Sequence, residues 1–242
     1  MQLLAIDVGN SRIKWASHDG ARWLARGALD RGRLADLETI WGGFPAGCRV
    51  IGSNVAGRDV TERIDAVLAA QGCATQWIVS TRAQCGVRNL YGNPVQLGTD
   101  RWAALIGARS METGACLVVG AGTAVTVDAL SENGDFLGGI ILPGLRLMHE
   151  ALARDTSRLG SDQGCYAAFP RNTADAMASG AIQAVAGAVE RMRVRLGAAV
   201  QGPVHVIASG GSMDILAPHL PADARLVENL VLEGLVIIAA ES

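Results

Sequence analysis

The chain has 242 residues, 50% of them hydrophobic and 18% charged, which suits one large domain or two of roughly 100 to 130 residues and excludes a disordered protein. A net charge of −2 with no basic stripe gives no reason to expect a nucleic acid or an anionic membrane as partner, so the expected ligand is small. Five scattered cysteines without C-x-x-C spacing read as reduced, buried thiols, and four dispersed histidines argue against a zinc site.

The N-terminal apolar run is interrupted at Asp7, too early for a signal peptide. No uncharged apolar stretch reaches the roughly 18 to 20 residues that span a bilayer, and a cytoplasmic location is the expectation. Three strands are predicted over Leu3 to Asp7, Ile13 to Ser17 and Trp23 to Ala28, with Asp19-Gly20 as a hairpin turn. A helix (Leu34 to Trp41), a strand (Arg49 to Ser53), a helix (Val60 to Gln71), a strand (Thr75 to Val79) and a helix from about Arg101 to Thr113 follow. Residues 115 to 142 repeat the strand triplet, with Asn133-Gly134 in the corresponding turn. After them come helices near Leu145 to Ala153 and over Thr173 to Leu196, a strand Val204 to Ala208, and a C-terminal helix from about Leu230 to Ala240. No linker marks a boundary, so the halves are drawn as 1–114 and 115–242 from where the second triplet begins.

Each triplet has a small Gly-centred loop after its first strand, Asp7-Val8-Gly9-Asn10-Ser11 and Gly120-Ala121-Gly122-Thr123-Ala124. Loops of this size can aim successive backbone N–H groups at one anion, with Ser11 and Thr123 adding hydroxyls, although either alone also reads as an ordinary hairpin. Asp7 ends its strand at the first loop, where a carboxylate tolerates phosphate only with a cation between them; the plainer reading is a turn residue. Lys14 on the outgoing strand either leans towards phosphate or is a solvated surface lysine. In the segment Tyr91-Gly92-Asn93-Pro94 and Gly98-Thr99-Asp100-Arg101, Gly98 permits a tight turn and Thr99 or Asp100 caps the next helix. The competing reading makes Asp100 a general base and Arg101 an anchor for an anionic acceptor.

A β-β-β-α-β-α unit used twice resembles the actin, sugar-kinase and Hsp70 superfamily, which implies an α/β fold of two similar RNase H-like domains with an ATP cleft between them. The ordered set Asp7-x-Gly-Asn-Ser, Tyr91 before Asn-Pro, Gly98-x-Asp100-Arg101, Gly122-Thr123-Ala124-x-Thr126-x-Asp128, Gly138-Gly139-x-x-x-Pro143-Gly144, Asn172-Thr173 and Ser209-Gly210-Gly211 resembles that of the type III pantothenate kinases over residues 7 to 211.

The resemblance implies a homodimer that transfers the ATP γ-phosphoryl group to pantothenate, the committed step towards coenzyme A. It implies that Asp7, Val8, Gly9, Asn10, Ser11, Arg12, Ile13 and Lys14 form the first ATP phosphate loop, with Asp7 holding Mg2+ through water. Gly122 and Thr123 would belong to the second loop, and Ser209, Gly210 and Gly211 would lie near adenosine. Asp100 would be the proton acceptor, and Tyr91, Gly98, Thr99, Asp100 and Arg101 would surround pantothenate, with Thr173 closing the pocket from the partner subunit. The small residues of the segment from Thr173 to Leu196 suit a dimer seam, or a helix packed tightly inside one domain. One departure stands out: the family usually has an Asp at the position of Gly120, associated with bound potassium or ammonium. Without it, a monovalent cation would rely on carbonyls, water or Asp128. Two alternatives remain open: a nucleotide-binding accessory or regulatory factor without kinase activity, and a superfamily kinase acting on a sugar or acetate.

Overall fold

The computed structural model describes residues 2–241 apart from 43, 46 and 156–163. The chain divides into two units, Met1–Met111 with Leu230–Ser242, and Glu112–Asn229.

The first unit opens with β1 (Leu3–Val8), β2 (Arg12–His18) and β3 (Trp23–Asp30), an antiparallel triplet. Its hairpin turn forms as the sequence predicts: Asp19 Oδ1 accepts the N–H groups of Ala21 and Arg22 at 2.8 and 2.9 Å, and Gly20 takes a φ of 104°. The single helix predicted over residues 34 to 41 is instead a 3-10 segment, Arg31–Asp36, followed by the short α1 (Leu37–Trp41). Arg33 leaves helical geometry (φ −108°, ψ 29°), next to a glycine that disfavours a regular helix.

Next come β4 (Arg49–Asn54), α2 (Arg58–Ala69) and β5 (Thr75–Trp77). The sheet order is β3-β2-β1-β4-β5, with β4 parallel to β1 and β5 parallel to β4. β1 is apolar almost throughout because both its faces are covered. Leu4, Ile6 and Val8 share one face and pack with Ile64 and Leu68 of α2 and with Trp41.

A hairpin that the sequence reading lacked follows, β6 (Ala83–Gln84) and β7 (Val87–Asn89). Both turn residues are left-handed, Cys85 at φ 49° and Gly86 at φ 75°, the geometry of a two-residue primed turn. Cysteine in place of the usual Asn or Asp hides this signal. The segment then enters α3 (Thr99–Met111), with Trp102, Leu105 and Ile106 buried.

The second unit repeats the plan with β8 (Cys116–Ala121), β9 (Ala124–Leu130) and β10 (Asp135–Pro143). α4 (Leu145–Asp155) and α5 (Thr173–Val200) precede β11 (His205–Ser209), and α6 (Met213–Leu216) leads to β12 (Arg225–Leu226). The strands run β10-β9-β8-β11-β12, with β11 parallel to β8 and β12 parallel to β11, the same order and directions as in the first unit. α5 starts at Asn172, whose side chain accepts the Asp175 N–H at 2.9 Å, and buries Ile182, Val185 and Val189 against Leu117, Val119, Val125 and Val127.

The last helix, α7 (Leu230–Glu241), belongs with the first unit, whereas the sequence reading kept it in a second half of 115–242. It lies against α3 at backbone distance: a Cβ on Gly107 would stand 2.6 Å from the Leu230 carbonyl, and one on Gly234 would collide with the Ala103 carbonyl. Two glycines facing each other's backbones create that seat, a signal too dispersed along the chain to read in advance. Among the described residues no helix is long and apolar enough to cross a membrane.

Candidate active site

In the first unit, Asp7 closes β1 with Lys14 opposite it on β2 and Ser53 beside it on β4. Carboxyl ends of neighbouring parallel strands, as β1 and β4 are, are where open α/β sheets present ligand-binding groups. The loop after Asp7 is pinned by the Gly9 N–H, which donates to the Arg12 carbonyl at 3.0 Å, and by the Ser11 carbonyl, which accepts from the Arg31 N–H at 2.9 Å. The Gly9 amide is thus engaged inside the turn, while Asn10 and Ser11 form its exposed tip. Val8 and Ile13 point their side chains into the core. Arg12 is exposed and pairs with Asp30 at 3.3 Å.

The start of α3 is tied to the same place. Thr99 Oγ1 lies 2.9 Å from Ser53 Oγ and donates to the Asn54 carbonyl at 3.3 Å. Because Ser53 is the register partner of Asp7, this pair brings Asp100 next to Asp7. Burial pushes the Asp7 carboxyl up to about 7, the Asp100 charge pushes in the same direction, and Lys14 pulls it back. Asp100 is also raised by burial, against the pull of the Arg101 amide, which donates to its Oδ1 at 2.8 Å, and of the Arg101 guanidinium. Asp100 thus lies inside the first turn of α3 and accepts the amide of the next residue, not one two or three residues on as a cap would, so the capping reading does not hold; it is a half-buried carboxylate beside a second one.

Gly98 does something other than permit a turn. Its own φ is not left-handed, and a Cβ there would stand 2.6 Å from Asp100 Oδ1. The missing side chain makes room for the Asp100 carboxylate.

Arg101 is buried, with Nη1 donating to Tyr91 Oη at 3.4 Å and the guanidinium carbon 6.0 Å from the Tyr91 ring centroid. Asp7, Lys14, Tyr91, Gly98, Thr99, Asp100 and Arg101 thus all lie in one unit, with two carboxylates and two cations among them.

In the second unit, the Gly122 N–H closes the loop onto the Ala124 carbonyl at 3.0 Å. Two glycines distant in sequence pack on it. A Cβ on Gly144 would strike the Gly122 carbonyl, and one on Gly210, whose φ is 130°, would strike the Ala121 backbone. Ser209 pairs with Gly120 across β11 and β8, so Ser209, Gly210 and Gly211 adjoin the Gly122-Thr123 loop. Thr126 sits opposite Gly120, and Asp128, buried on the same face of β9, lies two register positions further along, about 7 Å by strand rise. Thr173 is exposed at the first turn of α5.

The family model described as type III pantothenate kinase matches residues 3–195. The chain belongs to the type III pantothenate kinase family. A type III pantothenate kinase of Aromatoleum aromaticum is 50% identical over 99% of this chain and 98% of its own length, and one of Nitrosospira multiformis is 47% identical over 99% and 92%. Membership makes the chain a kinase, a phosphotransferase. Among solved structures, a Campylobacter jejuni protein assigned to the Baf family of transcriptional activators superposes with a TM-score of 0.64 at 23% identity over 98% of each chain. A Sinorhizobium meliloti protein assigned as a 2-dehydro-3-deoxygalactonokinase gives 0.61 at 15% identity over 99% of this chain and 98% of its own. These likenesses carry the fold alone.

In this type III pantothenate kinase family member, the sequence reading missed Ser53, Arg82 and Asn89. Ser53 was detectable as a small polar residue ending a parallel strand beside β1. Arg82 and Asn89 act on backbone carbonyls and amides, which leaves no residue pattern to find.

Proposed function

We propose that the protein transfers the γ-phosphoryl group of ATP to the primary hydroxyl of pantothenate, giving 4′-phosphopantothenate in the first step of coenzyme A biosynthesis, with Asp100 as general base. The observation that carries this reading is the half-buried Asp100 carboxylate at the start of α3, held beside the buried Arg101 and within the electrostatic reach of Asp7. A raised pKa makes Asp100 a stronger proton acceptor than an ordinary carboxylate, and Arg101, already seated against Tyr91, can pair with the substrate carboxylate. The exposed tip Asn10-Ser11, together with Lys14, supplies phosphate contacts, while Gly9 shapes the turn. The Gly122-Thr123 loop with Ser209, Gly210 and Gly211 serves nucleotide binding.

The donor set fits a divalent cation: the Asp7 carboxylate, on the loop proposed to take phosphate, offers hard oxygens that would hold Mg2+ through water, leaving Asp100 to take the proton. Bound with ATP, Mg2+ neutralises charge on the β- and γ-phosphate oxygens. A monovalent cation fits less well. Gly120 has no side-chain oxygen to offer and Asp128 stands two register positions away, so potassium or ammonium would act weakly here.

The exposed face of α5 presents Gly180, Ala184 and Gly187, and a Cβ on either glycine would meet nothing within 4 Å. Such a face admits a second helix at close range, which supports a homodimer in which Thr173 reaches the partner's pantothenate site. A cytoplasmic location accords with substrates that are soluble metabolites.

The test is a coupled assay with ATP, Mg2+ and pantothenate, run with and without potassium or ammonium. Phosphopantothenate formation is the expected result; nucleotide binding without any product would favour the accessory-factor alternative.

A further inference from the structure

The segment carrying Tyr91 is held by two residues to which the reading above gives no part in the reaction. Arg82, an exposed side chain, donates from Nη1 to the carbonyls of Asn89 (3.1 Å) and Tyr91 (2.8 Å), and from Nη2 to that of Gly92 (3.2 Å). Asn89 is fully buried, and every polar group it has is used. Its Nδ2 donates to the Pro94 carbonyl at 3.1 Å and its Oδ1 accepts the Tyr91 N–H at 3.1 Å. Its own N–H donates to the Arg82 carbonyl at 2.9 Å. Ser80 Oγ closes the base of the segment by donating to the Leu97 carbonyl at 2.8 Å.

This is more fastening than a surface connection needs. A loop of this composition, with Gly92 and Asn93 at its tip, would otherwise sample many backbone states, and ordering it carries an entropic cost. A planar guanidinium satisfying three carbonyls at once fixes the direction of the peptide groups on both sides of Tyr91, which a point-charge ammonium does less well. The Tyr91 ring in turn stands over Arg101, so the conformation of residues 89–94 determines the distance between the phenol and the guanidinium.

We propose that Arg82 and Asn89 are positioning residues for the acceptor pocket: they preset the 89–94 backbone so that Tyr91 and Arg101 are in place before the acceptor binds, and thereby set the affinity for it. This rests on the reading that Tyr91 and Arg101 surround pantothenate. Preorganisation of this kind is felt in acceptor binding and not in nucleotide binding.

The experiment compares Arg82→Met, Arg82→Lys and Tyr91→Ala with the wild type, measuring KM for pantothenate, KM for ATP, kcat, and amide hydrogen exchange over residues 89–94. Because Arg82 is exposed, its substitutions should leave the fold intact. Arg82→Met is expected to raise the pantothenate KM at least about tenfold, to leave the ATP KM within about twofold, and to speed exchange of the Tyr91 amide. Arg82→Lys is expected to recover part of the loss. An unchanged pantothenate KM in Arg82→Met, with faster exchange and with Tyr91→Ala impaired, overturns the positioning role alone. An unchanged pantothenate KM in both variants overturns the assignment of the pocket as well. Equal rises in both KM values would make Arg82 a general structural residue and also overturn the proposal.

Discussion

Asp7 and Asp100 share one electrostatic neighbourhood: the Asp100 charge adds to burial in lifting the Asp7 carboxyl to about 7, and Lys14 offsets only part of it. The folded protein therefore holds a proton on Asp7 that the unfolded chain releases near 3.8. Stability from this group is complete below the unfolded value and is lost as pH rises through the folded one. Asp7→Asn should match the wild type near pH 4 and exceed it by roughly 2 to 4 kcal/mol at pH 8 without ligands, measured by urea denaturation. Added Mg2+ should narrow the gap by stabilising the wild type. Parallel pH profiles for the two proteins would contradict the coupling.

Gly98→Ala tests the space reserved for Asp100. The new Cβ would stand 2.6 Å from Oδ1 and must displace the carboxylate. A fall in kcat of at least about tenfold, with an unfolding midpoint close to that of the wild type, is the expected outcome, since a misplaced base costs rate more than stability. Steady-state kinetics with a thermal melt on the same sample check it.

Gly120→Asp should increase the dependence on potassium or ammonium. The added Cβ would approach Thr126 Oγ1 at 2.9 Å, a contact that rotation of the threonine relieves, and it would supply the side-chain oxygen the natural loop lacks. Activity titrated with potassium in both proteins should show the steeper response in the variant; identical curves would remove Gly120 from any part in cation dependence.

Ala184→Arg places a long charged side chain on the exposed face of α5 between Gly180 and Gly187. If α5 forms the proposed dimer seam, sedimentation should show the wild type as a dimer and the variant as a monomer, and activity should fall with the loss of the Thr173 contact proposed across it. A fully active monomer would end the shared-site reading.

Much of the fold was legible because its signals are local. The two strand triplets follow from apolar runs bounded by Asp19-Gly20 and Asn133-Gly134, and the five long helices α2, α3, α4, α5 and α7 lie close to where the sequence predicts them. What escaped depended on contacts distant in sequence. α7 seats on α3 through Gly107 and Gly234, and the β6–β7 turn uses a cysteine at a left-handed position. At the site, Asp7, Asp100 and Arg101 could be named from motif order, but the role of Gly98 in leaving room for a carboxylate required coordinates. So did the engagement of the Gly9 and Gly122 amides inside their own turns.

Turnover of purified Asp100→Asn with saturating Mg-ATP and pantothenate tests the central claim most directly. Replacing the carboxylate by its neutral isostere removes the proton acceptor while keeping the size of the side chain, so kcat should fall by about 10²- to 10⁴-fold with an unfolding midpoint no lower than the wild type. Near-normal turnover in the folded variant would contradict it.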